Sequence, residues 1–149
     1  MKIINLKDNK EYLRESIKLC SLEWGDPKTD SEMEEYINNK EKKILEGDKV
    51  ISILGLVDDD TMIGFISLFK YEDDETTPLT PWYATMYVKQ EFRGRGYSKI
   101  LNEEILKEAK RLGYNKVYLK SELINYYEKF GAKYIEDLDN GEKLYYIDL

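Results

Sequence analysis

Val88-Lys89-Gln90-Glu91-Phe92-Arg93-Gly94-Arg95-Gly96-Tyr97-Ser98 is the stretch on which the fold turns. Ahead of it, Trp82 to Val88 has the aromatic and β-branched makeup of a strand. Behind it, Tyr97, Ile100, Leu101, Ile105, Ala109 and Leu112 fall on one face of a helix that Gly113 is placed to end. A strand that turns through two glycines into a helix gathers unpaired backbone N–H groups and the positive end of the helix dipole at one spot, which suits an anion. Glycine lets the backbone approach a phosphate closely, and Arg93 and Arg95 add charge that can pair with its oxygens. Gly94-x-Gly96 alone does not separate this reading from a tight turn whose arginines sit in water. Two longer phosphate motifs are excluded. The dinucleotide fingerprint needs a third small residue where the chain has Lys99, and no Gly-Lys-Ser/Thr follows for a phosphate loop. What is left is a shorter pyrophosphate turn fed by the edge of the preceding strand.

Working outward, a strand is expected at Lys2 to Leu6, then a helix from Asn9 to Trp24 stopped by Gly25-Asp26-Pro27, and a second helix from Ser31 to Leu45. Val50 to Val57 and Met62 to Phe69 are apolar, β-branched runs joined by Asp58-Asp59-Asp60-Thr61, a hairpin signal. An acidic run, Glu72-Asp73-Asp74-Glu75, opens a loop that passes through Pro78 and Pro81. Beyond Gly113, Lys116 to Leu119 reads as a strand and Ile124 to Phe130 as a short helix, and a last pair of strands turns at Asp139-Asn140-Gly141. The order β-α-α-β-β-β-α-β-α-β-β defines an α/β (α+β) class fold: a central mixed, mostly antiparallel sheet with helices on both faces. No repeat, low-complexity segment or linker divides the chain, so residues 1–149 are expected to form one domain.

Composition narrows the chemistry. Of 149 residues, 42% are hydrophobic and 36% charged, as in a solvated globular protein. Thirty acidic against 23 basic residues leave a net charge of −7, which argues against nucleic acid or an anionic membrane as partner. There is no apolar run of secretory or spanning length, so a cytoplasmic location is expected. With no histidine and one cysteine, an intrachain disulfide, a Cys/His zinc site and a histidine-based triad are excluded, and no metal is expected. Leu13, Ile17, Cys20 and Trp24 share one helical face, which makes Cys20 a core residue rather than a nucleophile.

The quoted stretch resembles motif A of the GNAT superfamily of N-acetyltransferases, whose core is Gln/Arg-x-x-Gly-x-Gly/Ala at the start of the central helix. Tyr126-Tyr127-Glu128-Lys129-Phe130-Gly131-Ala132 resembles the family's later segment, an aromatic pair followed by Glu-Lys and then Gly before the sixth strand. Two motifs in order, one helix and one strand apart, are more specific than either alone. Glu91 stands where the strict pattern has Gln or Arg, and Ala132 replaces a usual aromatic. The family's Asn seven residues before the Tyr would fall at Lys120, and the nearest asparagine is Asn125.

The resemblance implies acetyl-CoA as cosubstrate and transfer of its acetyl group to an amine of a small molecule or peptide, by direct attack in a ternary complex. By the same resemblance, the cofactor-binding residues are Met86, Tyr87, Val88, Arg93, Gly94, Arg95, Gly96, Tyr97, Ser98 and Asn125, and Tyr127 is the general acid toward the departing thiolate. Backbone groups of Met86 to Val88 would bond the pantetheine arm, and an N–H there would polarise the thioester carbonyl. Glu72 to Glu75 and Glu122 are candidates for the base, and Trp24, Trp82 and Tyr83 for the acceptor pocket, although core packing explains the aromatics equally well. Four adjacent carboxylates at 72–75 favour a cation, hence the expectation of a polycationic acceptor. A homodimer is compatible with the sequence. The alternative from another class is a catalytically silent acyl-CoA-binding sensor or adaptor with the same fold.

Overall fold

The computed structural model describes residues 1–71 and 78–149, so the acidic run at 72–75 lies outside the described residues. Seven strands form one sheet in the order β1-β2-β3-β4-β5-β7-β6: β1 Lys2–Asn5, β2 Val50–Asp58, β3 Thr61–Phe69, β4 Trp82–Val88, β5 Lys116–Ser121, β6 Lys133–Asp137 and β7 Lys143–Asp148. Every neighbouring pair is antiparallel except β4 with β5. Three helices cover it: α1 Lys10–Trp24, α2 Asp30–Glu46 and α3 Tyr97–Arg111.

The helix ends follow their local chemistry. Asn9 caps α1 by accepting from the Tyr12 N–H, and Thr29 and Glu32 form a reciprocal capping box on α2. Gly25 and Gly47 close the two helices. β2 and β3 are buried on both faces because helices lie above and below them, which is why they read as near-continuous apolar runs. Leu13, Ile17, Ile37 and Ile44 of α1 and α2 pack on Ile53, Val57, Met62 and Phe65 on one face. On the other, Leu101, Ile105 and Ala109 of α3 pack on Ile63, Leu68, Val117 and Leu119. Leu101 is fully buried, so Leu101→Ala is expected to cost about 2–5 kcal/mol through lost transfer energy and a residual cavity, measurable by urea unfolding.

The expected mixed sheet with helices on both faces is present, but three local expectations need correction. The helix at Ile124 to Phe130 shortens to a 3₁₀ turn, Tyr127–Phe130. Asn125 adopts φ +60°, and Leu123 and Ile124 are exposed, so no apolar face anchors a longer helix. On α3, Ile100 and Leu112 are exposed while Asn102 is buried beside Leu101. Trp24, the last residue of α1, is 58% exposed rather than core, because its ring meets the Tyr87 ring edge-on at 6.1 Å and otherwise borders open space.

One pairing creates the site. β4 and β5 are joined at Trp82 and Tyr118, with the Tyr118 N–H donating to the Pro81 carbonyl at 3.0 Å, and no further register pair links them. Two parallel strands that meet at one end and then diverge leave a cleft, and α3 crosses from one to the other.

Candidate active site

The turn into α3 has the geometry an anion needs. Gln90–Phe92 forms a 3₁₀ turn, after which Gly94 (φ +79°) and Gly96 (φ +83°) take left-handed backbone conformations that side chains disfavour. Gly96 is the N-cap residue of α3 and supplies no side-chain cap, so the first N–H groups of the helix face outward unsatisfied by a side chain. A Cβ built on either glycine would meet no heavy atom within 4 Å, so the space above the turn is open. Arg93 is held in place there: its Nε donates to the Val88 carbonyl at 2.7 Å, and its guanidinium lies 5.5 Å from the Tyr87 ring centre.

A cavity of about 380 Å³ opens over this turn, and Met86, Tyr87, Val88, Arg93, Gly94, Gly96, Tyr97 and Ser98 all line it. Arg95 and Asn125 do not. Arg95 lies over the Phe92 ring at 6.0 Å, and Asn125 is exposed in the loop after β5. The fit to a pyrophosphate therefore rests on the open glycine cradle, the helix terminus and Arg93.

β4 carries a bulge at the inner edge of this cavity. Phe65 pairs with Tyr87 and Ser67 with Ala84, so Thr85 and Met86 together face Ile66. Thr85 has φ +50°, a strained conformation for a β-branched residue. The bulge also changes which face each side chain takes. Tyr83 and then Met86 and Val88 pack toward α3, while Tyr87 turns to the α1/α2 side and stacks on Phe65 at 5.5 Å. Both bulge residues, Thr85 and Met86, line the cleft between β4 and β5.

That cleft holds a second cavity of about 550 Å³, lined by Tyr83, Thr85, Met86, Leu119, Tyr127 and Glu142 among others. Tyr127 is half-buried, edge-on to Tyr83 at 5.8 Å and to Tyr126 at 4.7 Å. Burial, and then the neighbouring Tyr126, push its phenol above the ordinary value, so it stays protonated and able to donate at neutral pH. Sequence reasoning missed two polar residues nearby. Glu142, set in the cleft by its position just before β7, carries a carboxylate; the only hint was its place after the Asp139-Asn140-Gly141 turn. Asn102 accepts a hydrogen bond from the Tyr83 hydroxyl and donates Nδ2 to the Ser98 carbonyl at 2.8 Å, tying Tyr83 to the first turn of α3. Its signal is a polar residue interrupting an apolar helical face.

A third cavity, about 320 Å³, lies between α1, α2 and the sheet and shares Trp24 and Thr85 with the cleft. Of the aromatic candidates, Trp24 borders all three cavities and Tyr83 the cleft. Trp82 is buried, donates Nε1 to the Leu79 carbonyl at 2.9 Å, and belongs to the core. Glu122 is exposed and lines none of the three. Cys20 borders the third cavity, with burial raising its thiol to about 11, so it is protonated at neutral pH and unsuited to act as a nucleophile. No group of three or more metal-ligating side chains and no helix long and apolar enough to cross a membrane occurs among the described residues.

A parallel strand pair that splays beside a glycine-lined helix terminus defines a class of proteins that offer a phosphate-bearing ligand an anion site next to a cleft in an open sheet. The profile of the acetyltransferase (GNAT) family matches residues 13–132, and the chain belongs to that family. No curated protein sequence matches it. Among solved structures, the PaiA N-acetyltransferase of Thermoplasma acidophilum, in complex with coenzyme A, is 23% identical with a TM-score of 0.63 and full coverage of both chains. An aminoglycoside 6'-acetyltransferase type Ii is 20% identical with a TM-score of 0.70, covering 99% of this chain and 97% of that one. The aminoglycoside 6'-N-acetyltransferase of Enterococcus faecium is 17% identical with a TM-score of 0.69 and the same coverage. At these identities the likeness is one of fold.

Proposed function

We propose that residues 1–149 act as a single N-acetyltransferase domain that binds acetyl-CoA over the Gly94–Gly96 turn and moves its acetyl group to a primary amine by direct attack. The observation that carries this reading is the continuity of the open anion turn, the β4 bulge and the Tyr127 cleft, three features that acetyl transfer needs in that order. Acetyl-CoA supplies the activated acyl group. Arg93 and the first N–H groups of α3 hold its phosphates, and the backbone at Thr85 to Val88 bonds the pantetheine arm. A fixed N–H at the bulge stabilises the negative charge that grows on the carbonyl oxygen as the amine attacks, and does so more strongly than it stabilises the ground state. Tyr127 donates to the leaving sulfur. Glu142 is placed to take the amine's proton through water. A protonated Cys20 supports attack without a covalent enzyme intermediate.

The expected preference for a polycationic acceptor rests on residues 72–75, which lie outside the described residues. The relatives' aminoglycoside acceptors support a small-molecule amine here.

Two measurements test the reading. Acetyl-CoA at about 100 times its dissociation constant is expected to stabilise the protein by about 2.7 kcal/mol in a thermal-shift titration. Thiol release with a panel of amines separates an enzyme from a silent CoA-binding module: binding with no turnover on any amine overturns catalysis, and no thermal shift overturns the cofactor.

A further inference from the structure

We infer that the cavity between α1, α2 and the sheet seats the acceptor and selects an amine whose far end is anionic, held by Lys40 and Lys49; this rests on the acetyl-transfer reading above. The cavity meets the cleft at Thr85 and Trp24, so a molecule within it reaches the β4 bulge. Its floor is apolar, formed by Ile17, Ile53 and Phe65. Lys40 and Lys49 also line it, and no aspartate or glutamate does.

Lys70 pairs with Asp48 at 3.3 Å, and Lys28 donates to Ser21 Oγ at 2.9 Å. Neither Lys40 nor Lys49 has a carboxylate partner among the described residues, and Lys49 lies instead over the Phe69 ring at 5.5 Å. Burial, then the positive charges of Lys49 and Lys43, lower the Lys40 ammonium from its ordinary value. In a chain of net charge −7, two uncompensated cations at one cavity run against the overall balance. An arriving anion gains attraction to both and relieves their mutual repulsion.

The register sets the spacing. Val50, next to Lys49, pairs with Phe69, which pairs with Trp82, and Thr85 lies three residues farther along β4. Two strand spacings and about four residues of rise separate Lys49 from Thr85, roughly 15 Å between Cα atoms. An α-amino acid, with amine and carboxylate on one carbon, does not span that distance even allowing for the lysine side chain. An amine and a carboxylate separated by an apolar spacer does, and the floor suits the spacer.

Three acceptors of one chain length test this with acetyl-CoA: 8-aminooctanoate, octylamine and 1,8-diaminooctane. The aminocarboxylate is expected to exceed octylamine in kcat/KM by about 10-fold, with the diamine below both. In a Lys40→Gln/Lys49→Gln variant the ratio should fall toward one, and Lys49→Glu should shift preference to the diamine. Calorimetry on the CoA-saturated protein supplies a second readout, with binding of 8-aminooctanoate weakened in the double variant and circular dichroism confirming that the variant is folded. A diamine that equals or beats the aminocarboxylate in the parent overturns the inference, as does a preference that survives in the double variant. If no amine turns over, the acetyl-transfer reading fails, and calorimetry alone then decides the subsite: binding that the double variant loses supports it, and equal or absent binding overturns it.

Discussion

Tyr127→Phe is expected to lower turnover by roughly 10²-fold while leaving acetyl-CoA affinity much less changed. The substitution removes one hydroxyl and keeps the ring, so the edge-on contacts with Tyr83 and Tyr126 persist and the fold should hold. An ordinary tyrosine has a pKa of about 10 and a cysteine-like thiol about 8.5, so full proton transfer to the departing thiolate is already uphill by roughly 2 kcal/mol. Burial raises the Tyr127 phenol further and steepens that climb. The group therefore acts as a hydrogen-bond donor that tightens as negative charge forms on sulfur, and its proton is retained through neutral pH. Single-turnover measurements at saturating substrates isolate this step. Turnover equal to the parent's, where chemistry limits the rate, removes Tyr127 from the mechanism.

Gly94→Val is expected to weaken acetyl-CoA binding by about 10²-fold, the loss of two charge-assisted hydrogen bonds at roughly 1.5 kcal/mol each. In the free protein a Cβ at this position meets nothing within 4 Å, so the side chain occupies the space above the turn where the phosphate must sit. The backbone contributes a separate cost. At φ +79° a β-branched residue is strained by about 1–2 kcal/mol, which should appear as lower stability even without ligand. Gly94→Ala separates the two effects, since it carries the conformational penalty with much less bulk. Isothermal calorimetry measures the affinity and urea unfolding the stability. If the valine variant binds acetyl-CoA as tightly as the parent, the pyrophosphate does not lie over this turn.

Local patterning carried much of the architecture. Asn9, Thr29, Gly25 and Gly47 punctuate the first two helices, and the apolar runs on either side of Asp59-Asp60 mark the central hairpin. Trp82–Val88 begins and ends where its composition indicates. The segment at Ile124–Phe130 did not follow its apolar content, because a helix that short needs a packed face, and Ile124 and the preceding Leu123 are exposed.

By itself, the sequence determined the order of the seven strands and three long helices, the glycine turn that opens α3 and the absence of histidine chemistry, since these depend on residue type and on spacing within a few positions. Tertiary structure alone decided the rest of the site. Whether β4 and β5 stay paired or diverge depends on strands more than 25 residues apart in the chain, as their joining pair Trp82 and Tyr118 shows. The bulge that puts Met86 and Val88 on the same face as Tyr83 is a register shift against β3, and side-chain alternation read along one strand assumes no such shift. Glu142 reaches the cleft because β7 pairs with β5, and Asn102 is buried because Tyr83 of β4 meets it under α3. Trp24 closes a helical face in the sequence but borders open cavities in space, because spacing specifies a direction from the helix and only packing specifies what lies there.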